Sequence, residues 1–496
     1  MNRQLRICAI VTCGWFFVFL VLPFIQSVFH LVPEGNVTEN RELAAFPKWG
    51  FRASYPHELQ DYWNDHFGFR RPLGVAANQL AFTLGESPNS QIVLGKNGWL
   101  FYHENLITTK GPAAAQIATA AEHYLAYQEW LANRGIVYFL VLPLDKHNAY
   151  PEYLPDHLPK VESVDLYQRF RAYVQNNHSP LNLVDLSDIT YAYKKRGQLL
   201  YFEDDNHWND LGAMIGTTEM TAAFARVFPA IPKRQPSDYE WKQVPLTGGD
   251  LAAMIALPML FPGTAFEVRP HFTPRAKSVD AGFTIPNYPP TRQPIATEIQ
   301  DPSLPTAFFF RDSFMDRALK PISEDFRRSV YVWNFDNFLP DLVEREHPDL
   351  LVQESIERSL GKIVAPAPSI AAELADLKKR QQAFADCPAV FDRLSARAMP
   401  VSFRPRSPNA EERPRVPVLE VSGTAQVATV LAIDTGDGHP QKRVLYPRAN
   451  KALVTLPGWP SEIRVEQRAG ALAPDAALEL TVKAIDPQTL ADATKR

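Results

Sequence analysis

Apolar and polar positions divide this chain into stretches of different texture, and the first stretch stands apart. From Ile7 to Val32, "ICAIVTCGWFFVFLVLPFIQSVFHLV", there is no Lys, Arg, Asp or Glu. A run of that length predicts a helix able to cross a bilayer core of roughly 30 Å. Arg3 and Arg6 precede it, which favours a cytoplasmic N-terminus and an exported remainder. No small-x-small site follows, so an uncleaved signal anchor is expected rather than a cleaved signal peptide. In a bacterial host this would be a single-pass inner-membrane protein with its main body in the periplasm. Aromatic positions then cluster from Phe46 to Phe69 and suggest a short helix and loop packed on a larger body. "IVLGKNGWLFY", Ile92–Tyr102, reads as a hairpin turning at Asn97-Gly98.

Beyond the hairpin, helical stripes alternate with continuous apolar runs. Ile117, Ala120, Ala121, Tyr124, Tyr127 and Leu131 mark one helix, and Leu166, Phe170, Tyr173 and Val174 another. A further helix is expected from about Leu211 to Phe228. Between them stand "IVYFLVL", "LNLVDL", "QLLYF", "TAFFF", "SVYVW" and "DLLVQ". Uninterrupted apolar runs suit parallel strands covered on both faces. The alternation predicts an α/β fold, a parallel sheet flanked by helices. Residues 229–305 break the rhythm and read as a long, proline-rich insertion that shapes a site. After residue 362 come a charged amphipathic helix and proline-rich linkers. From about Val418, short alternating runs indicate a small β-sandwich-like domain. The expected division is an anchor over 1–32, a main domain over 33–362, a helix and linker over 363–416, and a C-terminal β-domain over 417–496.

Composition adds mainly exclusions. The net charge of −4 offers no basic field for nucleic acid. Three cysteines, Cys8, Cys13 and Cys387, make neither a disulfide framework nor a zinc spacing. No glycine-rich phosphate loop occurs, and no metal or cofactor is expected.

The candidate chemistry lies where apolar runs stop. "TAFFF" ends at Arg311-Asp312-Ser313, and a helical pattern follows. A serine at a strand–helix junction is commonly a helix cap. It is also where an open α/β sheet places a nucleophile, with helix N–H groups near an incipient oxyanion. A nucleophilic hydroxyl needs a base, and the base needs an orienting acid. "DDNHWND" supplies both types: Asp205 lies two residues before His207, close enough to fold back on the imidazole. Read separately, His207 could be an ordinary hydrogen-bonding residue and Asp205 a solvated acid.

Seven segments, in order, resemble the alginate O-acetyltransferase AlgX/AlgJ family, whose domain is SGNH hydrolase-like. They are "ENRELAAFP", "YWNDHFGFRRPL", "VLGKNGWLFY", "VLPLDKHNAYPEYLP", "DDNHWNDLGA", "FFFRDSFMD" and "PDLLVQESIERSL", across about residues 39 to 360. The resemblance implies a permuted SGNH arrangement, with the D-x-H pair before the serine. It implies Ser313 as nucleophile, His207 as base and Asp205 as orienting acid. The implied activity is O-acetylation of an exported polysaccharide through a serine acyl-enzyme. The acetyl group would come from a partner, a membrane-bound O-acyltransferase, rather than from a cofactor. Lys146, Tyr150 and Arg311 are candidate substrate-binding residues, and Glu354 ends a strand nearby without an assigned role. In the C-terminal domain Tyr446, Arg448, Lys451, Trp459 and Arg464 could stack on sugars and pair with acidic groups. The competing readings are an SGNH-type carbohydrate acetylesterase using the same triad and a non-catalytic polysaccharide-binding scaffold.

Overall fold

The computed structural model describes residues 3–29, 31, 43–103, 106, 114–156, 158, 166–334, 336–388, 390–488 and 490. The first residues of "ENRELAAFP", and residues 1, 2, 30 and 32 of the expected anchor, lie outside the described residues. The N-terminal apolar run forms a helix over Arg3–Phe29. Its span Arg6–Ser27 has a mean hydropathy of 2.4, long and apolar enough to cross a membrane. Two further helices follow, Tyr55–His66 and Arg70–Thr83. Of the aromatics here Phe46, Trp49 and Trp63 are exposed, whereas Tyr62, Phe67 and Phe69 are half-buried.

Strands β1 (Ile92–Leu94) and β2 (Leu100–Tyr102) form the expected hairpin. The central sheet uses β3 (Val137–Val141) and β4 (Leu183–Val184). A separate long hairpin pairs β5 (Tyr239–Thr247) with β6 (Pro262–Pro270). The sheet resumes with β7 (Lys277–Val279), β8 (Ile295–Glu298), β9 (Thr306–Arg311), β10 (Arg328–Trp333) and β11 (Leu350–Glu354), in the order β4-β3-β11-β9-β10-β8-β7. Its first five strands are parallel to one another. β8 and β7 run antiparallel at one edge, so the sheet is mixed rather than wholly parallel.

Side-chain alternation along β9 shows how both faces are covered, because successive residues point to opposite sides. Phe309 meets Phe326, which in turn meets Phe224 of helix Asp210–Val227. Phe310 meets Phe338, which stacks on Tyr127 of helix Ala114–Ala132. Burial on both sides removes every residue of β3 and β11 from solvent, which is why β3 is continuously apolar and β11 is apolar up to Val352, with Gln353 and Glu354 buried at its end.

Two expectations fail here. "QLLYF" makes only an isolated bridge between Tyr201 and Trp208. Phe202 N donates to the His207 carbonyl and Asn209 N to that of Leu200, closing a tight loop in place of a sheet strand. Residues 229–305 are not an irregular insertion: they supply β5, β6, β7 and β8. The β5–β6 ribbon is mostly exposed or half-buried and carries prolines, so it lacks the clean alternation by which a half-buried strand is read.

The C-terminal part begins with helix Pro368–Asp386. It continues with β12 (Val390–Ala396), β13 (Val401–Phe403), β14 (Val416–Ser422), β15 (Thr429–Asp434), β16 (Gln441–Leu445), β17 (Lys451–Thr455), β18 (Ile463–Ala469) and β19 (Leu478–Ile485). These form two four-stranded sheets, β12-β19-β14-β17 and β13-β18-β15-β16, enclosing Leu419, Leu431, Val454 and Val482. β12 and β13 fall in the stretch read as linker; each is an edge strand with an exposed side. Tyr446 fastens this unit to the main sheet, its hydroxyl accepting from Tyr138 N at 2.8 Å.

Candidate active site

Ser313 follows β9 by two residues, in a turn whose shape is set by Asp312 rather than by the serine. One Asp312 carboxylate oxygen accepts from Phe314 N at 2.8 Å and the other from Ile356 N at 2.8 Å. Asp312 N donates to Glu354 Oε2 at 3.1 Å. The helix that follows, Met315–Ser323, has Phe314 at its N-cap and no side-chain cap bond. Ser313 is therefore not a helix cap, and its hydroxyl is available for another partner. That partner is His207, whose Nε2 lies 2.8 Å from Ser313 Oγ.

His207 sits in the loop closed by the Tyr201–Trp208 bridge. Its Nδ1 lies 2.7 Å from Asp205 Oδ1, and its backbone N–H donates to the same oxygen at 2.9 Å. A carboxylate at Nδ1 places that proton on Nδ1 and leaves Nε2 to accept from the serine hydroxyl. The next residue, Trp208, donates its indole N–H to the Phe314 carbonyl at 2.8 Å. His207 and Ser313 are thus joined twice, once through side chains and once through their neighbours.

Electrostatics follow from this geometry. Burial by itself lowers the His207 ionisation, but the Asp205 hydrogen bond and charge, with Asp250 and Asp312 beyond, raise it above the ordinary imidazole value. Burial pushes the Asp205 carboxyl up, and its bonds to His207 and to Asp250 N overcome that and hold it well below the usual range. Glu354 is fully buried; burial first, and then the Asp312 charge, push its carboxyl well above the usual carboxylate range.

Asp250 is the member of the site that the sequence reading missed. Its Oδ2 lies 3.6 Å from His207 Nδ1, and its Oδ1 accepts from Asn206 N at 2.8 Å. Burial and the Asp205 charge push its carboxyl up to about 6. The available signal was "GGD" at a helix start. Gly249 N donates to Asp204 Oδ2 at 2.6 Å, and a Cβ on Gly249 would come within 2.5 Å of the Asp205 Cβ. Only glycine lets the two backbones approach so closely. Asp205, His207 and Asp250 bring potential metal-ligating atoms within 4.8 Å of one another. Both His207 nitrogens already have partners, so a cation would have to displace one.

The three residues expected to bind substrate take supporting positions instead. Lys146 is 1% exposed. Its Nζ donates to the carbonyls of Leu100, Glu203 and Asp205 at 2.7, 2.7 and 3.0 Å, and burial pushes its ionisation down to about 7. It is a buried strut that shapes the loop carrying Asp205. Tyr150 is buried; its hydroxyl donates to Gln198 O and accepts from Leu200 N. Arg311 is buried, pairs with Asp316, and lies over the Trp333 ring. In the C-terminal unit Tyr446 is buried and offers no free face for stacking, while Trp459 is half-buried and packs on Phe391 with ring centroids 4.4 Å apart. Outside the site, the Arg317–Asp210 ion pair, at 3.1 Å, forms part of the wall of a groove of about 860 Å³ between helix Met315–Ser323 and the β5–β6 ribbon.

Residues 92–284 match the family described as SGNH hydrolase-like domain, acetyltransferase AlgX. The match contains Asp205, His207 and Asp250 and ends before Ser313. A probable alginate O-acetylase AlgJ from Pseudomonas syringae pv. tomato is 25% identical over 53% of this chain and 63% of its own length. The corresponding Pseudomonas aeruginosa protein is 28% identical over 32% of this chain and 39% of its own. The chain thus spans less than two thirds of the length of these curated relatives. Among solved structures, the O-acetyltransferase domain of Pseudomonas putida AlgJ aligns at 20% identity over 56% of this chain and 97% of that one, with a TM-score of 0.38. The AlgX/AlgJ family that the seven segments resemble is therefore the one whose SGNH-like domain this chain matches, over residues 92–284, and whose AlgJ members it aligns with.

Proposed function

We propose that this protein transfers acetyl groups onto hydroxyls of an exported polysaccharide through an acetyl-Ser313 intermediate. The observation that carries this reading is the His207 imidazole held between Asp205 and Ser313, at 2.7 and 2.8 Å. The names of the relatives support the acetyl-transfer class, and the polymer is assigned only as a polysaccharide.

In the first half-reaction, Ser313 Oγ attacks the carbonyl carbon of an acetyl donor while His207 Nε2 takes the hydroxyl proton. The tetrahedral oxyanion forms beside the start of helix Met315–Ser323, where backbone N–H groups favour negative charge. Collapse breaks the bond to the donor's leaving group, which receives the proton from His207. In the second half-reaction, His207 removes a proton from a sugar hydroxyl, whose oxygen attacks the acetyl-serine. Ser313 leaves with that proton, and the acetyl ester remains on the sugar. Asp205 stays ionised throughout and stabilises the imidazolium. The D-x-H pair before the serine is read as a permuted SGNH order, and the donor as the product of a membrane-bound O-acyltransferase.

Incubating the full chain in detergent with an activated acetyl ester, then weighing it intact, tests the first half-reaction. An adduct one acetyl group heavier is expected, absent in Ser313→Ala and His207→Ala. Adding oligosaccharides should move the label to sugar; release only as acetate would favour the acetylesterase. No adduct on folded protein would leave the scaffold reading.

A further inference from the structure

Helix Arg70–Thr83 carries two faces, only one of which has a partner among the described residues. Asn78 and Phe82 face the body: Asn78 Nδ2 donates to Ile255 O at 2.7 Å, and the Phe82 and Phe261 rings are 5.3 Å apart. Leu73, Ala77, Leu80 and Leu84, spaced four, three and four residues apart, share the opposite face. The three leucines are 55%, 62% and 70% exposed. No Asp or Glu occurs from Arg70 to Gly85, and two arginines open the helix.

The exit of the apolar N-terminal helix says what lies against this face. Ser27 Oγ donates to the His66 carbonyl at 2.9 Å, and Phe24 stacks on Trp63 at 6.2 Å. Gly68 lies so near that a Cβ there would come within 2.1 Å of the Pro23 carbonyl. Helix Arg70–Thr83 therefore starts where the hydrophobic span ends. Trp49 and Phe51, 79% and 103% exposed, precede it, and such aromatics concentrate at membrane–water boundaries.

We propose that Leu73, Ala77, Leu80 and Leu84 seat on the surface of the bilayer that the Arg6–Ser27 helix crosses. This rests on reading that helix as an anchor. The contact is a second one, distinct from the anchor, and it fixes orientation. The opposite face of the same helix grips the 249–261 segment, whose Gly249 and Asp250 amides bind Asp204 and Asp205. Membrane surface and catalytic loop are thereby connected through one helix and one short segment.

The test uses the full chain in lipid nanodiscs, with single nitroxide labels and the remaining cysteines changed to serine. Native Cys13, kept alone, reports the anchor; Leu73→Cys, Leu80→Cys and Leu84→Cys report the stripe, and Gln79→Cys its flank. Collision rates with oxygen and with a water-soluble nickel chelate give depth. The stripe labels should favour oxygen, at about 5–10 Å below the headgroup boundary as interfacial helices do, with Gln79 shallower. Adding Leu73→Asp and Leu80→Asp should move the Leu84 label into water. Stripe labels in water, with Cys13 in lipid, would overturn the docking proposal and leave the anchor standing. Labels shielded from both reagents would overturn it in favour of a protein cover, a second copy or a membrane partner. A Cys13 label outside lipid would remove both.

Discussion

Around Ser313, polar side chains end on one another: Asp250 reaches Asn206 N, Asp205 reaches His207, and His207 reaches the serine. In the C-terminal sandwich, the aromatic groups that looked equally promising end in packing. The Tyr446 hydroxyl holds the Tyr138 backbone, and Trp459 lies against Phe391. Two of the exposed cations there have partners of their own, Lys451 with Glu420 and Arg464 with Glu466. A run of suitable residue types is thus weak evidence of a site. What distinguishes a site is a connected chain of partners that leaves one group in reach of a reactant.

That contrast can be broken by substitution on either side. Ser313→Ala should abolish the acetyl adduct and lower transfer by on the order of 10⁶-fold; residual transfer close to wild type would separate the hydrogen-bonded chain from the chemistry. Asp205→Asn should lower it by on the order of 10³-fold or more, because the amide no longer fixes the imidazole tautomer, while leaving the adduct site on Ser313. Lys146→Met leaves three buried carbonyls without their donor and should cost about 3 kcal/mol, seen as a lower denaturation midpoint. Tyr446→Phe should cost about 1 kcal/mol and leave acetylation rates unchanged; a loss of rate there would tie the sandwich to catalysis. The smallest effect is on pH. His207 works as a base only when neutral, and its ionisation is raised. Activity should therefore fall as pH drops through that raised value. Asp250→Asn removes one of the charges that raise it and should move the acid limb to lower pH, read from kcat/KM profiles.

The parallel heart of the sheet was legible because β3, β9, β10 and β11 are covered on both faces, and that burial writes itself as short, largely apolar runs such as Ala307–Phe310 and Leu350–Val352. β5, β6, β12 and β13 were not legible, since ribbons and edge strands face solvent and tolerate proline and charge. Asp205, His207 and Ser313 could be singled out because all lie at the ends of apolar runs. Asp250 arrives from a segment 45 residues beyond Asp205, and only the tertiary contact at Gly249 brings it to the imidazole. Lys146 and Tyr150 were misread for a related reason: a polar residue within a motif is equally suited to touching substrate and to satisfying buried backbone, and sequence does not show which way it faces. The exposed leucines of helix Arg70–Thr83 carried no mark of their own, because an apolar stripe looks the same whether it meets protein or lipid.

The turn at Ser313 depends on residues made after it. Asp312 is pinned by Ile356 N and by Glu354, both beyond β10. A chain growing from its N-terminus therefore contains serine, histidine and aspartate well before it contains a working arrangement of them. A fragment stopped after β10 would carry every reactive group yet leave the turn without its fasteners. The order of synthesis itself thus delays the Ser313 turn until the residues of β11, which lies between β3 and β9, have been made.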